Sequence, residues 1–226
     1  MSSNDVNVVL VHGAWADGSS WAKIVAPLVA GGITVTAVQM PLTSLDADVA
    51  AVERAIERAS GPVVLAGHAY GGAVIGAVRS EKVKALVYVA AGAPDEGETI
   101  VEAFYGAEPP PVQPDRHGLI YLPEPAFAGM FAPDASREEL AVLAAVQRPI
   151  SIGNITVPMP RPLWKSVPAW SLVAEKDQML SPETQRRVAE RMKARIRSHQ
   201  VDHAPLVTAP EAVLGILSEA IASVAK

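Results

Sequence analysis

Short apolar runs alternate with longer amphipathic ones along this chain, and the alternation sets the class of fold to expect. Val6 to Val11 is a continuous valine-rich run, the pattern of a strand buried on both faces of a parallel sheet. A glycine-containing loop leads to a predicted helix over Ser19 to Ala30, closed by Gly31 and Gly32. Ile33 to Val38 reads as the next strand. Ser44 is placed to cap a helix over Asp46 to Ala59, whose first turn is acidic, and Gly61-Pro62 ends it. Val63 to Ala66 is a third buried strand. A glycine-rich turn and a helix to Arg79 follow, then a strand over Val83 to Ala90. Strand and helix alternating at this spacing predict a parallel sheet with right-handed crossovers.

The rhythm breaks between residues 95 and 166. That stretch holds most of the prolines, two or three short helical pieces (Glu98 to Tyr105, Ser136 to Gln147) and the apolar residues Phe104, Tyr121, Phe127, Met130, Phe131 and Trp164. It reads as a cap inserted into a core made of residues 1–94 and 167–226. The core pattern then resumes with a strand over Ala169 to Ala174, a helix over Pro182 to Lys193, a strand over Arg195 to Val201, and a last helix from Pro210. The expected class is α/β: a mostly parallel sheet of about six strands, helices on both faces, and a small inserted cap.

Length and composition narrow the picture. The 226 residues suit one domain with a modest insertion; half are hydrophobic and 19% are charged, so a well-buried core is expected. A net charge of −5 gives no reason to expect nucleic acid or an anionic membrane as partner. The basic stretch Arg186 to Arg197 is interrupted by apolar residues and Glu190, and reads as a solvated helix face. There are no cysteines, which excludes disulfides, thiolate metal sites and a cysteine nucleophile. No apolar run reaches the ~18 residues of a membrane span. The polar start, Met1 to Asp5, lacks a signal peptide's charged region and cleavage site. A soluble cytoplasmic protein, monomer or homodimer, is expected.

The segment Val63 to Gly72 carries the chemistry. An apolar strand runs into Gly67-His68-Ala69-Tyr70-Gly71-Gly72, and this turn opens a helix. That is the context of a nucleophile elbow, G-x-S-x-G, where flanking glycines permit a tight strand–helix approach around a strained central residue. Only the hydroxyl is missing, because residue 69 is alanine. At the end of the first strand stands Leu10-Val11-His12-Gly13-Ala14-Trp15. The oxyanion hole that accompanies such an elbow uses the N–H after the nucleophile and one from this early loop, here Tyr70 and Ala14. A plain strand–helix loop is the plainer reading of that second segment.

Five histidines compete for the role of base. His12 and His68 belong to the two turns, where a structural hydrogen bond suits them; His117 lies in the cap and His199 inside a predicted strand. His203 follows the last strand, where catalytic groups of open α/β sheets collect. Asp177, just past the strand Ala169 to Ala174, can orient such a histidine. Asp95, after the preceding strand, is its rival, and Asp202 is adjacent to His203 and poorly placed.

The run His12 to Trp21, the turn Gly67 to Gly72, the strand end Ala90 to Asp95 and the block Ser171 to Pro210 resemble the compact esterase and hydroxynitrile-lyase branch of the α/β-hydrolase superfamily. Plant methyl-ester hydrolases and short bacterial hydrolases belong to it. The similarity spans nearly the whole chain and is weakest between about 106 and 160. The branch carries serine where this chain has Ala69. The resemblance implies a serine-type carboxylic ester hydrolase working through an acyl-enzyme, with no metal or organic cofactor. Trp15, Phe104, Phe131 and Trp164 are the expected substrate-binding residues, for a small-to-medium apolar ester, although cap aromatics also serve as core. Lyases of this branch carry threonine after the first histidine and lysine after the last; here these are Gly13 and Ala204. Two origins of Ala69 remain: a serine-to-alanine replacement in an esterase, or a natural non-catalytic relative that binds a ligand.

Overall fold

The computed structural model describes residues 5–105 and 112–225; residues 1–4 of the polar start lie outside them. Strands β1 (Asn7–Val11), β2 (Thr34–Val38), β3 (Val63–His68) and β4 (Val83–Val89) alternate with helices α1 (Ala22–Ala30), α2 (Leu45–Glu57) and α3 (Tyr70–Ala77). The chain then leaves the sheet. It forms α4 (Ile100–Tyr105), the two-residue strand β5 (Leu119–Ile120), α5 (Arg137–Ala145), the antiparallel partner strand β6 (Ile150–Ser151) and α6 (Ile152–Thr156). It returns with β7 (Ala169–Ala174), α7 (Pro182–Arg191), β8 (Arg195–His199) and α8 (Pro210–Val224).

Six strands form one wholly parallel sheet in the order β2-β1-β3-β4-β7-β8. Burial explains their composition. Every residue of β1, β3 and β7 is buried, and their sequences are predominantly apolar. The outer strands β2 and β8 alternate or expose their residues, and Arg195 and Arg197 on β8 keep that edge charged. Helices cover both faces. α8 packs against β3, β4 and β7 and meets α1, while α2 and α3 pack together over β1 and its neighbours. Among the described residues no helix is long and apolar enough to cross a membrane.

Local chemistry sets the helix ends. Asp17 accepts the N–H of Ser19, so residues Gly18–Trp21 close as a tight 3₁₀ turn and the regular helix begins at Ala22, later than the pattern suggests. Ser44 caps α2 by accepting from Ala47, as its position implies. A capping box between Ser136 and Glu139 starts α5.

The topology creates one crevice. From β1 the chain moves outward to β2, then crosses back to β3 on the other side of β1. The loops after β1 and β3 therefore diverge at the carboxyl end of the sheet, the usual ligand position in open α/β folds. The segment between β4 and β7 leans over that end. Trp15 Nε1 donates to the Ile120 carbonyl at 2.9 Å, Ser151 N to the Leu42 carbonyl at 2.9 Å, and Asp134 N to the Asp202 carboxylate at 3.1 Å.

Candidate active site

The turn between β3 and α3 is as tight as its glycines suggest. A Cβ on Gly67 would stand 2.5 Å from the Gly71 carbonyl oxygen, and one on Gly71 would stand 2.7 Å from the carbonyl oxygens of both Val11 and His12. Neither position admits a side chain without moving backbone. Between them Ala69 adopts φ 48°, ψ −117°, outside the small left-handed basin open to L-residues. Such a conformation costs of order 1–3 kcal/mol and persists only where its surroundings impose it. Here Ala69 N donates to the Val89 carbonyl and Gly72 N to the Ala69 carbonyl, at 3.2 and 3.0 Å.

The loop after β1 is braced by His12. Met40 N–H donates to His12 Nε2 at 3.0 Å, so Nε2 is unprotonated and Nδ1 carries the hydrogen that goes to the Gly13 carbonyl at 2.8 Å. Burial pushes His12 down to about 4, which keeps it neutral. In a trans peptide the Ala14 N–H points opposite to the Gly13 carbonyl, hence away from His12. Gly13 packs onto the elbow itself, where a Cβ would stand 3.1 Å from the methyl of Ala69. The Tyr70 N–H belongs to the first residue of α3, and first-turn N–H groups have no intrahelical acceptor.

At the opposite wall, His203 Nδ1 donates to Asp177 Oδ2 at 2.7 Å. Asp177 accepts three further hydrogen bonds: Gln185 Nε2 on Oδ2 at 2.8 Å, and the N–H groups of Met179 and Leu180 on Oδ1 at 2.7 and 2.9 Å. His203 and Asp177 are both buried. The imidazole is held from other sides too. His68 Nε2–H donates to the His203 carbonyl at 2.7 Å, and the Phe131 ring meets the imidazole edge-on at 5.3 Å. Burial, with the neighbouring His203, lowers His68 to about 3. Asp202 accepts from Ala204 N and Thr208 Oγ1 and so shapes the loop that carries His203 rather than orienting its ring. Asp95 pairs with Lys165 on the surface side of the insertion.

Ala14, Trp15, Ala69, Tyr70, Phe104 and His203 line one cleft, whose empty volume is about 600 Å³ with its mouth included. The rest of its wall is mostly aliphatic, from both the core and the insertion. Two expected binding residues do not line it. Phe131 is packed on His68, His203 and Phe127. Trp164 donates to the Pro94 carbonyl and lies against Lys165 and Arg191, at the foot of the insertion. Both aromatics act as packing, the other role such residues play.

A buried polar cluster behind Tyr70 has no counterpart among the sequence motifs. Tyr70 OH donates to Asp48 Oδ2 at 2.7 Å; Asn154 Nδ2 donates to the same oxygen at 2.7 Å and lies 2.9 Å from Tyr70 OH. Asp48 Oδ1 takes the Leu42 N–H at 2.7 Å. Burial pushes the Asp48 carboxyl up, and burial together with that carboxylate holds the Tyr70 phenol well above its usual range. The cluster ties α2, the elbow and α6 together. Gln185, fully buried on α7, was equally silent in the sequence, since nothing in its neighbourhood marks it as an acid's partner.

A profile of the alpha/beta hydrolase family matches residues 8–216, and the chain belongs to that family. Similar solved structures include a pyrethroid hydrolase from Sphingobium faniae, 22% identical with a TM-score of 0.86, covering 96% of this chain and 98% of that one. A methylesterase from Arabidopsis is 18% identical with a TM-score of 0.79, covering 96% and 99%. Polyneuridine aldehyde esterase is 19% identical with a TM-score of 0.79, covering 94% and 98%. At these identities the likeness speaks for the fold. No curated protein matches the chain.

Proposed function

We propose that the cleft is a carboxylic-ester site of the serine-hydrolase type in which Ala69 occupies the nucleophile's position, so that this chain binds a small-to-medium apolar ester without consuming it. One observation carries the reading: a base–acid pair, His203 with Asp177, shares an apolar cleft with a strained elbow residue that has no nucleophilic atom. Hydrolase and esterase names among the solved structures of the same fold support it.

With a hydroxyl at position 69, His203 Nε2 would take its proton and the oxygen would attack the ester carbonyl. The N–H groups of Ala14 and Tyr70 would hold the resulting oxyanion, and Asp177 would keep Nδ1 protonated and stabilise the imidazolium. The alcohol leaves with the proton from His203, and water then releases the acid from the acyl-enzyme by the same base. Without the hydroxyl the sequence stops at binding.

Two observations favour a serine-to-alanine replacement over a natural binding protein. A residue at φ 48° is strained for alanine and would relax as glycine, so the strain has a use only where an atom must be presented. The Asp177 carboxylate is served by four donors, an arrangement that a simple binding cleft does not need. The direct test is a crystal of the chain soaked with a p-nitrophenyl or methyl ester. Intact ester is expected with its carbonyl oxygen within hydrogen-bond distance of Ala14 N and Tyr70 N. An ester bound with its carbonyl directed elsewhere removes the oxyanion assignment.

A further inference from the structure

The cleft wall contributed by Phe104 has a backstop in the core backbone. After β4, Ala90 turns the chain with φ 45° and Gly92 follows. A Cβ on Gly92 would stand 1.9 Å from Cε1, 2.5 Å from Cδ1 and 2.7 Å from Cζ of Phe104, so the aromatic ring lies directly on the glycine. Gly92 cannot retreat from it. Its carbonyl oxygen and the neighbouring Ala91 methyl already press on α3, where a Cβ on Gly72 would stand 2.5 and 2.8 Å from them.

The helix that carries Phe104 and the loop leading into it are tied down as well. Arg187 donates to the Ala103 carbonyl at 3.2 Å, and Arg191 reaches Glu98 at 2.8 Å and the Ala93 carbonyl at 2.5 Å. Gly97 N and Met159 N complete the anchoring with hydrogen bonds to Met159 and Glu98 carbonyls at 2.9 and 2.8 Å. Gly92 backs the ring of Phe104 on one side, and the same ring lines the cleft.

We propose that Gly92 and Phe104 together set the length of apolar chain the cleft accepts: the ring closes one end of the slot, and the missing side chain at 92 decides how far back that end lies. The inference rests on the cleft being an ester site and adds the residues that grade its substrates. Glycine at 92 is then a specificity position, and any larger residue there shortens the slot by pushing the ring inward.

The test uses the protein as it stands, since Ala69 leaves the ligand unconsumed. Dissociation constants of methyl esters of straight-chain acids, increasing one carbon at a time, are measured by calorimetry. Binding should tighten about fourfold per methylene until the chain meets the Phe104 ring, then stop improving. Phe104→Ala should move that end point to chains several methylenes longer. Gly92→Ala should move it to shorter chains, and adding Phe104→Ala to Gly92→Ala should restore the length. An unmoved end point in Phe104→Ala, or in a folded Gly92→Ala, overturns the inference while leaving the ester reading intact. Should Gly92→Ala not fold, Phe104→Ala decides alone. Failure of every ester to bind overturns both.

Discussion

Asp177→Asn, made in a chain that also carries Ala69→Ser, has a consequence that the hydrogen-bond pattern allows to be worked out. Each carboxylate oxygen accepts two donors: Met179 and Leu180 N–H on one, His203 and Gln185 on the other. An amide has one acceptor oxygen and one NH₂, so two donors must lose their partner. If the NH₂ faces the backbone, two fixed N–H groups are opposed by donors and nothing can turn to relieve them. The amide therefore places its oxygen on Met179 and Leu180 and its NH₂ toward His203. His203 must then offer the Nδ1 lone pair and carry its proton on Nε2, where it cannot act as base. The expected loss in kcat is about 10⁴. Gln185 cannot turn to compensate, because its own oxygen accepts Ala174 N and its nitrogen serves the Leu180 carbonyl. Losing bonds to a charged acceptor should also lower stability by roughly 3 kcal/mol. Nitrophenolate release measures the rate, and urea unfolding the stability. Asp95→Asn is the control. It breaks a surface pair with Lys165 worth at most about 1 kcal/mol and should leave the rate within a few-fold. A rate for Asp177→Asn within tenfold of its parent, or a crippled Asp95→Asn, refutes the reasoning.

Two further outcomes are expected. His12 and His68 are lowered by burial from 6.5 to about 4 and about 3, so between those values and 6.5 the unfolded chain binds more protons than the folded one. Stability is therefore intact above pH 6.5 and falls as pH drops toward 4, by roughly 3 kcal/mol from His12 alone; urea midpoints that do not change between pH 7 and 4.5 contradict this. Tyr70→Phe removes one of three donors to the buried Asp48 carboxylate and should cost about 1–2 kcal/mol in urea unfolding; an effect near zero means the cluster is not formed in solution.

The sheet was legible because its central strands are buried on both faces and so read as largely apolar runs, as in Val63 to Ala66 and Ala169 to Ala174. The edge strand Arg195–His199 has no such pattern and was found from its place between two helices. The elbow was legible because close backbone approach leaves glycine as the residue that fits at 67 and 71. Asp177 and His203 could be singled out because both follow strands that end on the same side of the sheet. Asp48, by contrast, looked like an ordinary first-turn acid of a helix. Its partners Tyr70 and Asn154 are 22 and 106 residues away, and a network that distant leaves no local spacing to read. Phe131 and Trp164 lie outside the cleft lining for a related reason. Composition marks an aromatic as buried without saying which surface it covers, and these two cover one side of His203 and the foot of the insertion.

Everything in the functional reading turns on position 69, and Ala69→Ser tests it directly. Loss of a serine nucleophile in a comparable enzyme lowers kcat on the order of 10⁶-fold. The chain as it stands should release nitrophenolate from p-nitrophenyl acetate and butyrate no faster than weak background catalysis. The Ala69→Ser protein should turn both over many times per active site, with a burst as the acyl-enzyme forms. Rates that stay equal and negligible in the two folded proteins, across short and medium esters, would contradict the account and leave the cleft a binding site.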